Sequence, residues 1–292
     1  MQCKGPILRL NNEVQMPALG LGVFQSSPED TSTAVKTAIA DGYGLIDTAS
    51  GYENEAQVGQ GIGESGVARA EIFVTTKLRP TDYGHDATLK AFDASMEKLG
   101  LEMLDLYLLH WPVPRDFDNT VASWRACERL VKEGRVRAIG VCNFKPAHLD
   151  ALVARCEIVP AVNQIELHPF FVQHDHDVAH ERLGIVTQAW SPIGGIQRYW
   201  GDGAEAKDPL HHPVVAALAE KYGKTPAQIV LRWQIDLGHS AIPKSVKPTR
   251  IAENIDIFDF ALATEEVAAI SALDTGKRGG PDPETQGTPE GK

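Results

Sequence analysis

Cysteine is scarce in this 292-residue sequence. Cys3, Cys127, Cys142 and Cys156 are scattered with no C-x-x-C pair, which fits neither a disulfide framework nor a zinc knuckle and leaves reduced thiols as the reading. Long apolar runs are missing as well. No stretch reaches the roughly 18 apolar residues that span a bilayer, and the opening Met1-Gln2-Cys3-Lys4-Gly5-Pro6 has no apolar leader core, so a cytoplasmic location is expected. Positive charge is in deficit: 28 Lys and Arg stand against 39 Asp and Glu. The resulting net charge of -11 repels phosphate backbones and anionic lipid, which argues against nucleic-acid and membrane partners. No internal repeat or low-complexity tract stands out, and no apolar face for a second copy is readable, so a monomer is expected.

What is present is ordinary globular composition, 43% hydrophobic and 23% charged. Short apolar runs recur at 18–24, 43–49, 72–78, 104–111, 136–143, 160–167, 184–192 and 240–245, several of them near-continuous, as suits strands covered on both faces. Helical spacing separates them, as in Val121, Trp124, Cys127 and Val131, or Ile229, Trp233 and Leu237. Ser27-Pro28-Glu29-Asp30 and Thr225-Pro226-Ala227-Gln228 read as helix starts. Eight alternating β/α units over about 250 residues predict a parallel sheet closed into one (β/α)8 TIM barrel spanning the chain, with an open doubly wound sheet as the alternative. Residues 8–16 predict a small hairpin able to plug the barrel's lower end. Extra helices are predicted at 213–222 and after Thr264. Residues 275–292, rich in Gly and Pro, form an irregular tail.

One motif misleads. Gly61-Ile62-Gly63-Glu64-Ser65-Gly66 matches the dinucleotide fingerprint, but a helix-like segment precedes it and a strand follows, the reverse of the required order. More informative are polar residues at strand ends, because barrel enzymes build their sites on that rim. Asp47 ends the second strand, Tyr52 follows it, Lys77 ends the third and His110 the fourth. Singly these are a turn cap, a surface lysine and a core histidine. Together they suit carbonyl reduction, in which charge developing on oxygen needs a proton donor in place. Tyr52 is the candidate donor, Lys77 is expected to lower its pKa, Asp47 to keep Lys77 charged, and His110 to polarise the carbonyl. A metal site would use clusters such as His174-Asp175-His176-Asp177 or His211-His212. Both lie off the strand ends and read as solvated surface, so no metal is expected.

The sequence resembles the aldo-keto reductases, in particular the bacterial 2,5-diketo-D-gluconate reductase type, over nearly its whole length. The motifs are Ile46-Asp47-Thr48-Ala49-Ser50-Gly51-Tyr52-Glu53-Asn54-Glu55, His110-Trp111-Pro112, Asn163-Gln164-Ile165-Glu166-Leu167-His168-Pro169 and Ile242-Pro243-Lys244-Ser245. The resemblance implies NADPH-dependent reduction of aldehydes or ketones, with Asp47, Tyr52, Lys77 and His110 as the catalytic tetrad. It implies a cofactor site of Gly22, Asp47, Asn143, Gln164, Trp190, Ser191, Lys244, Ser245, Val246, Lys247, Arg250 and Asn254. There Trp190 stacks on the nicotinamide, Asn143 and Gln164 hold its carboxamide, and the basic end takes the adenosine 2′-phosphate. Substrate contacts fall to Phe24, Tyr52, His110 and Trp111, with the loops after the fourth and seventh barrel strands and the tail. Cys142 departs from the family's usual serine, Gly44 and Leu45 from a more polar pair, and Lys247 from an arginine that would bind phosphate with two parallel bonds. Gln286 stands where relatives often carry an aromatic. Two other readings stay open. A nucleotide-binding redox sensor or regulatory subunit would share the barrel, and a barrel hydrolase would need zinc.

Overall fold

Two three-residue strands, β1 (Ile7–Arg9) and β2 (Gln15–Pro17), pair antiparallel with Leu8 opposite Met16, forming the predicted hairpin. Its turn is wider than Asn11-Asn12 alone, because the ladder stops at Arg9 and Gln15. The computed structural model describes residues 3–194 and 208–286. Leu10 and Met16 are buried with Leu45, Phe73, Leu106, Leu108, Ala138 and Val162, side chains that point into a barrel. Asn11 and Asn12 donate to the carbonyls of Pro160 and Arg137, at 3.0 and 2.9 Å. The hairpin therefore plugs the end at which strands begin.

The barrel strands are β3 (Leu21–Gly22), β4 (Leu45–Asp47), β5 (Phe73–Leu78), β6 (Leu104–Leu109), β7 (Val136–Cys142), β8 (Val162–Glu166), β9 (Val186–Trp190) and β10 (Ser240–Ala241). They pair in sequence order, all parallel. Parallel bridges from Leu19 to Ala241 and from Gly22 to Lys244 join the two edges, so the sheet closes into a (β/α)8 barrel. The first and last strands are far shorter than the apolar runs at 18–24 and 240–245. Pro243 has no N–H to donate, so pairing beyond Ala241 survives only as single contacts, such as Gly22 N–H to the Pro243 carbonyl at 3.1 Å.

Each strand leads to a helix of the outer ring: α1 (Pro28–Asp41), α2 (Glu55–Glu64), α3 (His85–Leu99), α4 (Phe117–Lys132), α5 (Pro146–Val153), α6 (His174–Leu183), α8 (Pro226–Asp236) and α9 (Pro248–Ile255). The added helices are α7 (Pro213–Tyr222) and α10 (Thr264–Ser271), where they were predicted. Ser27 accepts from the Asp30 N–H to start α1, and Thr225 with Gln228 forms a capping box on α8. A buried layer containing Phe92, Trp124, Ile139, Ile165 and Trp233 fills the space between strands and helices. Burying each such side chain stabilises by roughly 1.5–3 kcal/mol.

The glycine decoy starts in the last turn of α2 and runs past the helix end at Glu64. A Cβ on Gly61 would stand 2.7 Å from the Ser32 carbonyl oxygen of α1, and one on Gly59 2.2 Å from that of Leu99, the last residue of α3. Helix packing, not phosphate binding, explains these two glycines.

The expectation of solvated surface for 174–177 holds for His174 and Asp175 but not for His176, which is buried with His180, one helical turn on. Burial, helped by Arg278, lowers His176 to about 4; burial, helped by His176, lowers His180 to about 3. The unfolded chain binds protons at these positions near pH 6.5, and the folded chain does not. Their stability contribution is complete above pH 6.5 and is lost as pH falls toward 4 and 3. We expect the unfolding free energy from denaturant melts to drop over that window, with a slope of up to about 1.4 kcal/mol per pH unit per histidine, and the slope to lessen in His180→Gln. Identical slopes in the two proteins would contradict this.

Candidate active site

Asp47 and Lys77 end in the barrel interior on adjacent strands, β4 and β5, where Lys77 is fully buried and Asp47 nearly so. Lys77 Nζ lies 2.6 Å from Asp47 Oδ1, donates to the Thr48 carbonyl at 2.9 Å, and points its third proton at Tyr52 Oη, 3.3 Å away. Three donors thus meet three acceptors, and the ammonium cannot turn elsewhere. Tyr52 comes from a short 3-10 turn, Ser50–Tyr52, tied to β5 by the Ser50 hydroxyl bonded to the Lys77 carbonyl at 2.8 Å. Its ring packs against Phe24, with centroids 4.9 Å apart, and edge-on to His110, 5.8 Å away.

The electrostatics depart from the sequence expectation in one respect. Burial pushes the Tyr52 phenol up to about 12, with Lys77 pulling it down and Asp47 and Cys142 adding to the rise. Lys77 was expected to leave the phenol below its ordinary value; desolvation outweighs it. Burial also pulls Lys77 down, but Asp47, Tyr52 and Cys142 together hold it above its usual range, so it stays charged. Burial raises Asp47 against the opposing pull of Lys77 and the Gln164 amide. His110 is driven down to about 3 by burial and then by Lys77, so it is a neutral imidazole at physiological pH.

Above this group opens a cavity of about 400 Å³. Its wall includes Gly22, Phe24, Trp111, Asn143, Gln164, Trp190, Ser191, Lys244 and Arg250. Asn143 and Ser191, just after β7 and β9, adopt left-handed backbone with φ of 66° and 48°. That conformation costs little for Asn and aims side chains off the strand ends. Asn143 is pinned on both sides, donating to the His110 carbonyl at 3.1 Å and accepting from the Trp190 indole at 2.9 Å. Gln164 spends both amide protons in the interior, on Asp47 Oδ2 and Gln188 Oε1, each at 2.7 Å.

A family model described as "Aldo/keto reductase family" matches residues 18–275. The chain belongs to that family. Among relatives of this aldo/keto reductase, a morphine 6-dehydrogenase of Pseudomonas putida is 56% identical, covering 97% of this chain and 96% of its own. Methylglyoxal reductase DkgA of Escherichia coli (strain K12) is 44% identical over 96% and 98%. The Bombyx mori aldo-keto reductase solved in complex with NADP superposes with a TM-score of 0.87 at 38% identity, over 96% and 95% of the two chains.

In this reductase the four rim residues read from the sequence come together, and so do Phe24 and Trp111 at the cavity wall. Ser245, Val246, Lys247 and Asn254 do not line the cavity. The first three lead into the N-terminus of α9, and Asn254 is buried within that helix. Residues 195–207, part of the loop after β9, and the tail beyond 286 lie outside the described residues. The sequence reading missed Gln188, which receives Gln164 and donates to Ser240 Oγ at 3.0 Å. It also missed Tyr83, whose hydroxyl donates to the Trp111 carbonyl at 2.5 Å and receives its N–H at 3.2 Å. An inward polar residue in mid-strand was the available signal for Gln188; Tyr83 offered none.

Proposed function

We propose that this protein reduces small aldehydes and ketones to alcohols with NADPH, using Tyr52 as general acid. The observation that carries the reading is the Tyr52 hydroxyl 3.3 Å from a fully buried lysine, in the wall of a cavity that also holds Trp190, Asn143 and Arg250. The donor set fits the cofactor. Two pinned amides suit a carboxamide, an indole suits a flat ring, and Lys244 and Arg250 with the start of α9 suit a phosphate. Burial pulls Lys244 below its usual value against the attraction of Asp30, as in a groove partly shielded from water.

NADPH, when bound, supplies the hydride. The Tyr52 phenol holds the substrate oxygen and passes it a proton as negative charge develops there. Lys77 makes that donation easier by stabilising the phenolate left behind, and Asp47 keeps Lys77 aimed. Neutral His110 donates a hydrogen bond to the same oxygen and lines it up with Tyr52. Phe24 and Trp111 give the apolar wall of the substrate end. All of this comes from one chain, so the reading includes one barrel domain acting as a monomer. All four cysteines are free, which agrees with a reducing cytoplasm.

Purified protein assayed against aldehydes, ketones and diketones with NADPH and with NADH tests the proposal; turnover of none would end it. The phosphate assignment has its own check. Arg250→Ala, or Lys247→Ala, should weaken NADPH about tenfold and NADH less than about twofold, the loss of one charge-assisted contact. Equal loss for both cofactors would contradict it.

A further inference from the structure

Glu166, the last residue of β8, has a carboxylate with no access to solvent, and the proposed chemistry makes no use of it. Strand alternation puts it on the face of Gln164, one step nearer the rim. Its oxygens are taken up by the C-terminal segment: the Gly279 N–H donates to Oε1 at 2.7 Å and the Gly280 N–H to Oε2 at 2.9 Å. Arg278 Nη1 lies 3.5 Å from Oε2, and His168 Nε2 3.1 Å from Oε1. The Arg278 guanidinium also lies 4.9 Å over the Phe171 ring and donates to Gln173 Oε1 at 3.2 Å.

Farther along, Lys145 Nζ reaches Asp282 at 3.0 Å and Glu284 at 3.1 Å, and His148 Nε2 lies 3.4 Å from Glu284. Pro281 stands between the two fixings and Gln286 beyond them, and both form cavity wall. The fixings differ in strength. Lys145 and its partners are partly exposed, so water and salt weaken them. A buried carboxylate is costly without partners, and the two backbone N–H groups offset that cost only while the tail is docked.

We propose that Glu166 is a positioning residue for substrate. It clasps the C-terminal segment to the end of β8, so that Pro281 and Gln286 stand as a wall of the carbonyl pocket and set the affinity for larger substrates, not the chemical step. This rests on the reductase reading, so the test carries one readout that does not.

In the full chain, Glu166→Gln places an amide among N–H donors and should release the segment. Hydrogen exchange of a 279–286 peptide should accelerate at least about tenfold, with peptides from β5 and β6 unchanged. KM for phenylglyoxal should rise about tenfold, with kcat within about twofold and methylglyoxal, of the same reacting group but smaller, nearly unaffected. Removing 279–292, which leaves the barrel intact, should reproduce that split, and adding Glu166→Gln to it should change nothing further. Unchanged exchange in Glu166→Gln, or equal KM rises for both aldehydes, overturns the proposal. Failure of the unsubstituted protein to reduce either aldehyde would count against the reductase reading, with exchange still deciding the clasp.

Discussion

Tyr52→Phe is expected to lower turnover by about 10²–10⁴-fold, the range for losing a placed general acid, while NADPH affinity stays within about twofold. The substitution removes one oxygen and keeps the ring against Phe24 and His110, so the cavity survives. Steady-state rates with a fluorescence titration of NADPH would check both halves. Burial holds the phenol near about 12, so it is protonated at neutral pH and does not itself limit reduction on the alkaline side below that value. An unchanged rate would remove Tyr52 from the acid role.

Lys77→Met carries the second large effect, and it bears on stability as well as rate. The lysine leaves three acceptors behind it, one of them a nearly fully buried carboxylate at 2.6 Å. Stranding that charge should cost about 3–5 kcal/mol and abolish turnover. The double substitution Asp47→Asn with Lys77→Met should recover most of the stability and none of the activity. Denaturant melts of the three proteins decide it: a single variant as stable as the double would mean that Asp47 and Lys77 are not a coupled pair.

Much of this was legible before the structure. The strands showed because a sheet covered on both faces needs near-continuous apolar runs, and the helices because Ser27, Thr225 and their prolines mark starts. The cluster proposed as the tetrad was legible because Asp47, Lys77 and His110 interrupt or end those runs with groups that are seldom buried unpaired. Less legible was anything set by packing depth. The pKa of Tyr52 depends on how completely it is desolvated, which spacing does not reveal, and His176 reads as surface until α6 buries it beside His180. The Glu166 clasp was the least legible, since its partners lie 113 and 114 residues downstream in a segment without regular structure.

The central claim is that a carbonyl carbon receives hydride from NADPH in this cavity. Incubating the protein with NADPH deuterated at the transferred position and an unlabelled aldehyde, then weighing the alcohol, tests it most directly. One deuterium on the carbinol carbon is the predicted result. NADPH binding with no alcohol formed would contradict it and favour a nucleotide-sensing role for the barrel.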